Sequence, residues 1–339
     1  MEQGVAPFFM PVRLINITNS PIFAEKVPLM KNVLIIGANG FTGRQILKDL
    51  SDKQQHNVTG CSLHSDILSD TKGNYRFIET DIRDGISVKH LFEEVQPDVV
   101  VNCSALSVPD YCETHHEEAY LINVTAVEQL ARLCEEHKSR FIHLSTDFVF
   151  DGKINESAGQ LYTEEVLPAP VNYYGFTKWK GEERVAELCS NYAIVRVAIV
   201  YGKAMPGQHG NIVQLVMNRL QAGQEIRVVA DQWRTPTYVG EVSDGVQLLM
   251  ESTENIVENT ANGIFHICGD ECLTIAEMAY QVADSMNLDR TLIHPVTTEE
   301  MKEATPRPRF SGMSIDKAQK LLGYHPRKLK DILADWDAL

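Results

Sequence analysis

Long charge-free apolar runs are missing from this chain of 339 residues, so no transmembrane helix and no membrane partner are expected. A basic excess is missing as well. Lys and Arg number 31 against 46 Asp and Glu, a formal charge of −15. Nucleic acid is therefore not an expected partner, since its phosphate backbone calls for a basic surface. The acidity does not exclude an anionic small molecule, because a few local Arg and Lys side chains can hold one. No disulfide framework is visible: the seven cysteines at 61, 103, 112, 134, 189, 268 and 272 are odd in number and irregular in spacing, and reduced thiols are expected. His266, Cys268 and Cys272 lie close together, but a second ligand pair at zinc spacing is lacking. They read more simply as a strand, Ile264 to Cys268, entering a turn at Gly269-Asp270, and no metal is expected. Internal repeats and low-complexity tracts are also absent. A soluble, cytoplasmic protein fits these limits.

Residues 1 to 29 lack a hydrophobic period and carry Pro7, Pro11, Pro21 and Pro28. They also lack the basic start and unbroken apolar core of a signal peptide. A loosely ordered extension ahead of Met30 is expected.

From Lys31 onward strand and helix patterns alternate. Val33 to Ile36 is a continuous apolar run, as buried parallel strands are. Further strands are expected at Asn57 to Leu63, Arg76 to Glu79, Asp98 to Asn102, Phe141 to Ser145 and Ala193 to Val200. Helices are expected at Thr42 to Leu50, Ala119 to His137 and Tyr174 to Leu188. This alternation predicts an α/β protein with a doubly wound, Rossmann-like parallel sheet. After Gly202 the rhythm breaks into a smaller mixed α/β region. The expected division is 30–202 plus about 235–252 for dinucleotide binding, and about 203–234 plus 253–339 for substrate.

The turn after the first strand reads Gly37-Ala38-Asn39-Gly40-Phe41-Thr42-Gly43. Gly37 permits the tight turn, Gly40 lets backbone approach a pyrophosphate, and Gly43 lets the next helix pack closely on the sheet. A glycine triplet alone is weak, but here a strand precedes it and a helix follows. An acid about twenty residues on would hold the ribose of NAD. The second strand ends Cys61-Ser62-Leu63-His64 instead, with Asp66 late. Arg44 directly follows the turn, where its planar fork can face a 2′-phosphate or lie as a solvated helix charge. NADPH is the expected cofactor, with NADH the alternative.

Tyr174 and Lys178 stand one helical turn apart and share a face. A lysine ammonium about 4 Å from a phenol is worth roughly 4 kcal/mol at an effective dielectric near 20. That is enough to bring a free tyrosine's pKa from about 10 towards about 7 before burial opposes it. Tyr174 then becomes a usable general acid towards a carbonyl oxygen. Thr146, at the end of an apolar strand, supplies a hydroxyl to orient that carbonyl. A second Tyr-x-x-x-Lys, Tyr324 and Lys328, has Pro326 between its members. Proline forbids a regular helix there, so this copy is set aside.

These residues together resemble the extended short-chain dehydrogenase/reductase family and, within it, the dTDP-4-dehydrorhamnose reductases. Four blocks carry the likeness: Val101 to Ala105 with Val108 to Glu113; Ser145 to Gly152; Pro170 to Gly175 through Lys178, Gly181 and Glu182; and Asp231-Gln232 followed by Pro236-Thr237. The resemblance implies a catalytic trio of Thr146, Tyr174 and Lys178. It implies cofactor contacts at Asp81, Ile82, Ala105 and Asn123 besides the glycine loop. It implies a sugar-nucleotide pocket, for which Ser107, Asp147, Phe148, Trp233 and Arg234 are the candidate residues. Trp233 either stacks on a base or packs, and Arg234 either pairs with a diphosphate or lies on the surface. Phe310 stands where a smaller polar residue is more usual in the family. Thr146-Asp147-Phe148 lacks the Glu of the related dehydratases, so dehydration is not expected. The implied activity is NADPH-dependent reduction of a 4-keto-deoxysugar nucleotide, dTDP-4-dehydro-L-rhamnose to dTDP-L-rhamnose. The alternatives are a nucleotide-sugar epimerase and a regulatory subunit resembling the β subunit of methionine adenosyltransferase. A homodimer is left open.

Overall fold

The computed structural model describes Met1 and residues 30–67, 73–154, 160–205, 208, 210–252 and 262–338. The extension expected at 1–29 lies, apart from Met1, outside the described residues. The first half of the chain runs β1 (Asn32–Ile36), α1 (Phe41–Lys53), β2 (Asn57–Ser62), β3 (Arg76–Glu79), α2 (Gly85–Val95), β4 (Val99–Asn102), α3 (Pro109–Cys112), α4 (His116–Tyr120), α5 (Ala126–His137), β5 (Arg140–Thr146), α6 (Tyr173–Leu188) and β6 (Tyr192–Val197). A π-helical turn, Leu121–Thr125, links α4 to α5.

The apolar runs become strands of one parallel sheet because both of its faces are covered. Alternate residues part to opposite sides. Val33 and Ile35 of β1 join one core, Leu34 and Ile36 the other. α1 buries Gly43, Ile46, Leu47 and Leu50, a spacing that lays one stripe on the sheet. α2, which the sequence pattern did not announce, buries Val88, Leu91, Phe92 and Val95 at the same spacing. Its start is fixed by Asp84, whose carboxylate accepts the Ile86 amide at 3.1 Å.

The rest of the chain comprises β7 (Val200–Tyr201), α7 (Ile212–Gln221), β8 (Ile226–Val229), β9 (Trp233–Arg234), β10 (Thr237–Tyr238), α8 (Val239–Glu251), β11 (Gly263–His266), β12 (Leu273–Thr274), α9 (Ile275–Ser285), β13 (Ile293–Val296), α10 (Thr298–Met301), α11 (Asp316–Leu322) and α12 (Leu329–Ala334). The main sheet has seven strands in the order β3-β2-β1-β4-β5-β6-β11, all parallel. β11 was assigned by sequence to the second region. It is in fact the edge strand of the main sheet, paired from Gly263↔Ala193 to His266↔Arg196. A four-residue strand carries no mark of its partner, so the division by sequence was drawn on the wrong side of it. The second region has its own core, in which Val213, Val216 and Leu220 of α7 meet Val282 of α9 and Ile332 of α12. Among the described residues, no helix is long and apolar enough to cross a membrane.

Candidate active site

Strand order reverses between β1 and β4, and the crevice at such a switch point is where a doubly wound sheet binds ligands. Register sets Ile36 beside both Cys61 and Asn102, so the turns after β1, β2 and β4 emerge together. Gly37 has φ +79°, and a Cβ there would meet the Ser104 amide nitrogen at 2.7 Å. A Cβ on Gly43 would lie 2.2 Å from the Gly37 carbonyl oxygen. Only glycine lets α1 rise this close to the strand end. Gly40 is the N-cap of α1; it offers no side-chain cap, and no acid occupies the first turn. The start of a 13-residue helix thus faces the crevice with amides open to an anion. Asn39 braces the loop by donating to the carbonyls of His64 (3.0 Å) and Ser65 (2.9 Å). These features fit a dinucleotide pyrophosphate.

Other expected cofactor residues fall elsewhere. Arg44 is buried, and its guanidinium donates to the Lys203 carbonyl at 3.2 Å, away from the cavity wall. It is not a solvated helix charge. The helix rotates it inward at the position after Gly43. His64 and Ile67, not Arg44, line the cavity beside the loop. Asp81 pairs with Arg83 at 2.7 Å, which holds its carboxyl below the usual range. Neither Asp81 nor Ile82 reaches the cavity wall, whereas Ala105 does. Asn123, in the π-helical turn, is fully buried. It accepts from the Leu106 amide and donates to the Leu106 carbonyl and to Thr177. It therefore clamps the loop after β4 to α6 and stands behind the wall.

Thr146, Tyr174 and Lys178 all line one cavity of about 1010 Å³. β5 carries Thr146 to its end. Asn172 caps α6 by accepting the Gly175 amide at 2.8 Å, which starts the helix at the site. The Thr146 hydroxyl, which donates to Asp147 at 3.2 Å and accepts the Phe148 amide, lies near enough to the Tyr174 phenol to oppose the effect of burial on it. Tyr174 opens on the cavity but is enclosed by packed protein. Burial, opposed by Thr146, raises its pKa. The expected lowering by Lys178 is not what the structure gives. Lys178 Nζ turns instead to the Leu144 carbonyl at 2.7 Å and lies 3.4 Å from His143 Nε2. Burial brings the lysine itself down to about 8, with Glu182 and Cys103 opposing. Tyr174 thus stays a protonated phenol through neutral pH, which is the form that can donate to a carbonyl oxygen.

Ser107, Asp147, Phe148 and Arg234 also line the cavity. Arg234 is 2 % exposed and is neither on the surface nor free for a diphosphate. Its Nε lies 3.3 Å from Asp147, and Nη1 donates to the Trp233 carbonyl at 2.8 Å. Ser311 adds a short bond to the same carboxylate. Burial raises Asp147, and Arg234 counters it. Trp233 packs. It pairs with Thr274 across β9 and β12, tilts against Phe310 and does not line the cavity. Sequence reasoning missed Arg307 and Glu303, a pair 3.1 Å apart on the far wall. It also missed Asn102 and His143. Their signal was a polar side chain inside otherwise apolar strands.

Sheet order, glycine turn and trio define the class: an extended short-chain dehydrogenase/reductase, a group of NAD(P)-dependent oxidoreductases. The chain belongs to the family described as the RmlD substrate binding domain, whose model matches residues 30–336. It is 31% identical over 307 residues to a probable low-salt glycan biosynthesis reductase, Agl14, of Haloferax volcanii, covering 90% of this chain and 96% of that protein. It is also 31% identical over 293 residues to the methionine adenosyltransferase 2 subunit beta of Mus musculus, covering 86% and 82%. Among solved structures, a dTDP-4-dehydrorhamnose reductase of Bacillus anthracis in complex with NADP superposes with a TM-score of 0.75. That match has 26% identity over 91% of this chain and 99% of that one.

Proposed function

We propose that this chain is an NADPH-dependent 4-keto reductase of a nucleoside-diphosphate deoxysugar, with dTDP-4-dehydro-L-rhamnose the favoured substrate and dTDP-L-rhamnose the product. The observation that carries this reading is the meeting of Thr146, Tyr174 and Lys178 on one cavity that also reaches the glycine turn. Asn39, Gly40, Phe41 and Thr42 of the glycine turn would hold NADPH, which when bound would supply the hydride for the sugar's carbonyl carbon. The Tyr174 phenol gives its proton to the carbonyl oxygen, and the Thr146 hydroxyl, on the same cavity wall, orients that carbonyl. Lys178 lies on the same helix face, within the cavity wall. NADPH is favoured over NADH because, among the described residues, no carboxylate of β2 or its following turn lines the cavity there, and because a reductase of similar fold was solved with NADP. The second region, with its own core beyond β6, is assigned the sugar nucleotide.

Likeness to the β subunit of methionine adenosyltransferase supports a second reading as a binding partner. A panel of dTDP-, UDP- and GDP-linked keto-sugars, followed by NADPH oxidation, decides between them. Stoichiometric oxidation with a dTDP-4-keto-sugar supports the reductase. Interconversion of sugars without net oxidation supports an epimerase. Tight NADPH binding with no turnover of any sugar supports the binding partner.

A further inference from the structure

The turn after β2 is built round one residue of the glycine turn. Asn39 Nδ2 donates to the His64 and Ser65 carbonyls, and its Oδ1 accepts the Ile67 amide at 3.4 Å. The Asn39 backbone amide donates to the Ser62 hydroxyl at 3.0 Å. These bonds draw residues 62–67 against the start of α1, where His64 and Ile67 enter the cavity wall beside Gly40 and Phe41. In a doubly wound fold this corner receives the adenosine ribose, and the residues past the second strand meet its 2′ substituent.

Three observations set the character of the corner. At the end of β2, where an acid would take a 2′-hydroxyl, stands the neutral Ser62. The acid that follows, Asp66, accepts the Tyr75 hydroxyl at 2.7 Å and is not on the cavity wall. Among the described residues, the wall side chains able to carry positive charge are His64, Lys178, Arg227, Arg234 and Arg307. Lys178 is at the trio and Arg234 is paired with Asp147 beside it. Arg227 donates to the Glu300 carbonyl and Arg307 pairs with Glu303, both in the second region. His64 alone stands at the glycine turn. It is exposed, and its ring has no hydrogen-bond partner among the described residues.

We infer that His64 binds the 2′-phosphate of NADPH and is the residue that separates NADPH from NADH. A ring N–H donates to a phosphate oxygen, and a bond to an ionised acceptor is stronger than one to a neutral hydroxyl. NADH carries only the hydroxyl at that carbon, so it gains little from the same ring. Arg44, the cation suggested by the sequence, holds the Lys203 carbonyl and does not line the cavity. The inference rests on the cofactor named in the proposed function, but not on which sugar is reduced. The other use of a ring at this corner is to stack on adenine. Stacking would hold both cofactors alike, which the test separates.

The test uses the full chain without sugar, so it does not depend on turnover. Fluorescence titration compares NADPH with NADH. Competition by adenosine 2′,5′-bisphosphate and by AMP then isolates the 2′-phosphate from the nicotinamide. The parent should favour NADPH and the bisphosphate. His64→Phe keeps a flat ring and removes the donor, and it should lose roughly tenfold or more of that preference. Its affinity for NADH and AMP should hold, which also shows that it is folded. His64→Gln, which restores an N–H donor, should recover part of the preference. Equal losses for both cofactors in His64→Phe overturn the inference, and so does a preference that survives the change intact. Should His64→Phe fail to fold, His64→Ala takes its place, with a selective loss of NADPH affinity again expected. A parent with no preference for NADPH takes down the cofactor assignment and this inference with it. Failure of every keto-sugar to react would instead count against the proposed reduction and leave this result standing.

Discussion

Tyr174 and Tyr324 each stand four residues ahead of a lysine, and the two pairs sit in opposite surroundings. Tyr174 lies in the first turn of a 16-residue helix at the C-terminal ends of the sheet strands, and it and Lys178 line the same cavity. Tyr324 lies between α11 and α12, is 2 % exposed, and donates to the Cys268 carbonyl at 3.3 Å. Lys328 is the N-cap of α12, and its ammonium lies 3.8 Å from Glu271 near the surface. No helix spans the second pair, so a spacing of four gives it no common face. Spacing gains chemical meaning only where a helix carries both groups to a cavity. Charge behaves in the same way. The Asp147–Arg234 pair is buried beside the trio, whereas Lys328–Glu271 is partly solvated.

Exchange of each phenol for a phenyl ring should separate the two pairs most widely. Tyr174→Phe should slow NADPH oxidation by roughly 10²–10⁴-fold while leaving cofactor binding intact. Tyr324→Phe should stay within a few-fold of the parent rate and lose about 1 kcal/mol of stability in denaturant titrations. Comparable rate losses in the two would erase the distinction.

The ion pairs should differ next. Arg234→Met leaves the Asp147 carboxylate buried without its charge partner, and should cost about 3–5 kcal/mol at neutral pH. A buried carboxyl whose folded pKa is raised binds a proton more readily when folded than unfolded. The deficit should therefore shrink as pH falls. Lys328→Met, at a surface pair, should cost no more than about 1 kcal/mol. Urea titrations at two pH values check both.

A smaller effect concerns Lys178 alone. Lys178 sits at about 8 in the fold against an ordinary 10.5, so the unfolded chain binds its proton more tightly. Its presence disfavours the fold below about 8, and that penalty fades as pH rises towards 10.5. Lys178→Met should accordingly be the more stable protein at neutral pH, by up to about 3 kcal/mol, with the gap closing in alkaline solution. The smallest expected effect is at Arg44. Arg44→Ala should weaken NADPH and NADH binding alike, because the side chain holds the Lys203 carbonyl and does not reach the cavity. A selective loss of NADPH affinity in fluorescence titration would restore it as a phosphate ligand.

β1 and β4 were legible because buried parallel strands are near-continuous apolar runs: β1 reads Asn-Val-Leu-Ile-Ile, and β4 reads Val-Val-Val-Asn with all four residues buried. The glycine turn and the trio were legible because their spacing is set by local geometry: a turn, a strand end and one helical turn. What depended on distant partners was not. β11 joins the sheet through β6, about seventy residues earlier in the chain. Two-residue strands such as β9 and β12 exist through distant partners: β9 pairs with β12 and, at Trp233, bridges Phe310. Arg44 could not be told from a solvated helix charge until the Lys203 loop was seen beneath it. The pull of Lys178 on Tyr174 expected from their spacing holds only for an isolated pair. In the fold, burial outweighs it and the lysine is turned towards His143 and Leu144.

The central claim is that Tyr174 and its neighbours complete a reduction at C4 of a nucleotide-linked keto-sugar. The most direct measurement supplies NADPH deuterated at the transferable position of the nicotinamide, together with dTDP-4-dehydro-L-rhamnose, and locates the label by NMR. One deuteron on C4 of the product sugar per cofactor oxidised is the predicted result, with none formed by the Tyr174→Phe protein on the same timescale. Label absent from the sugar while NADPH remains bound and unoxidised would contradict it.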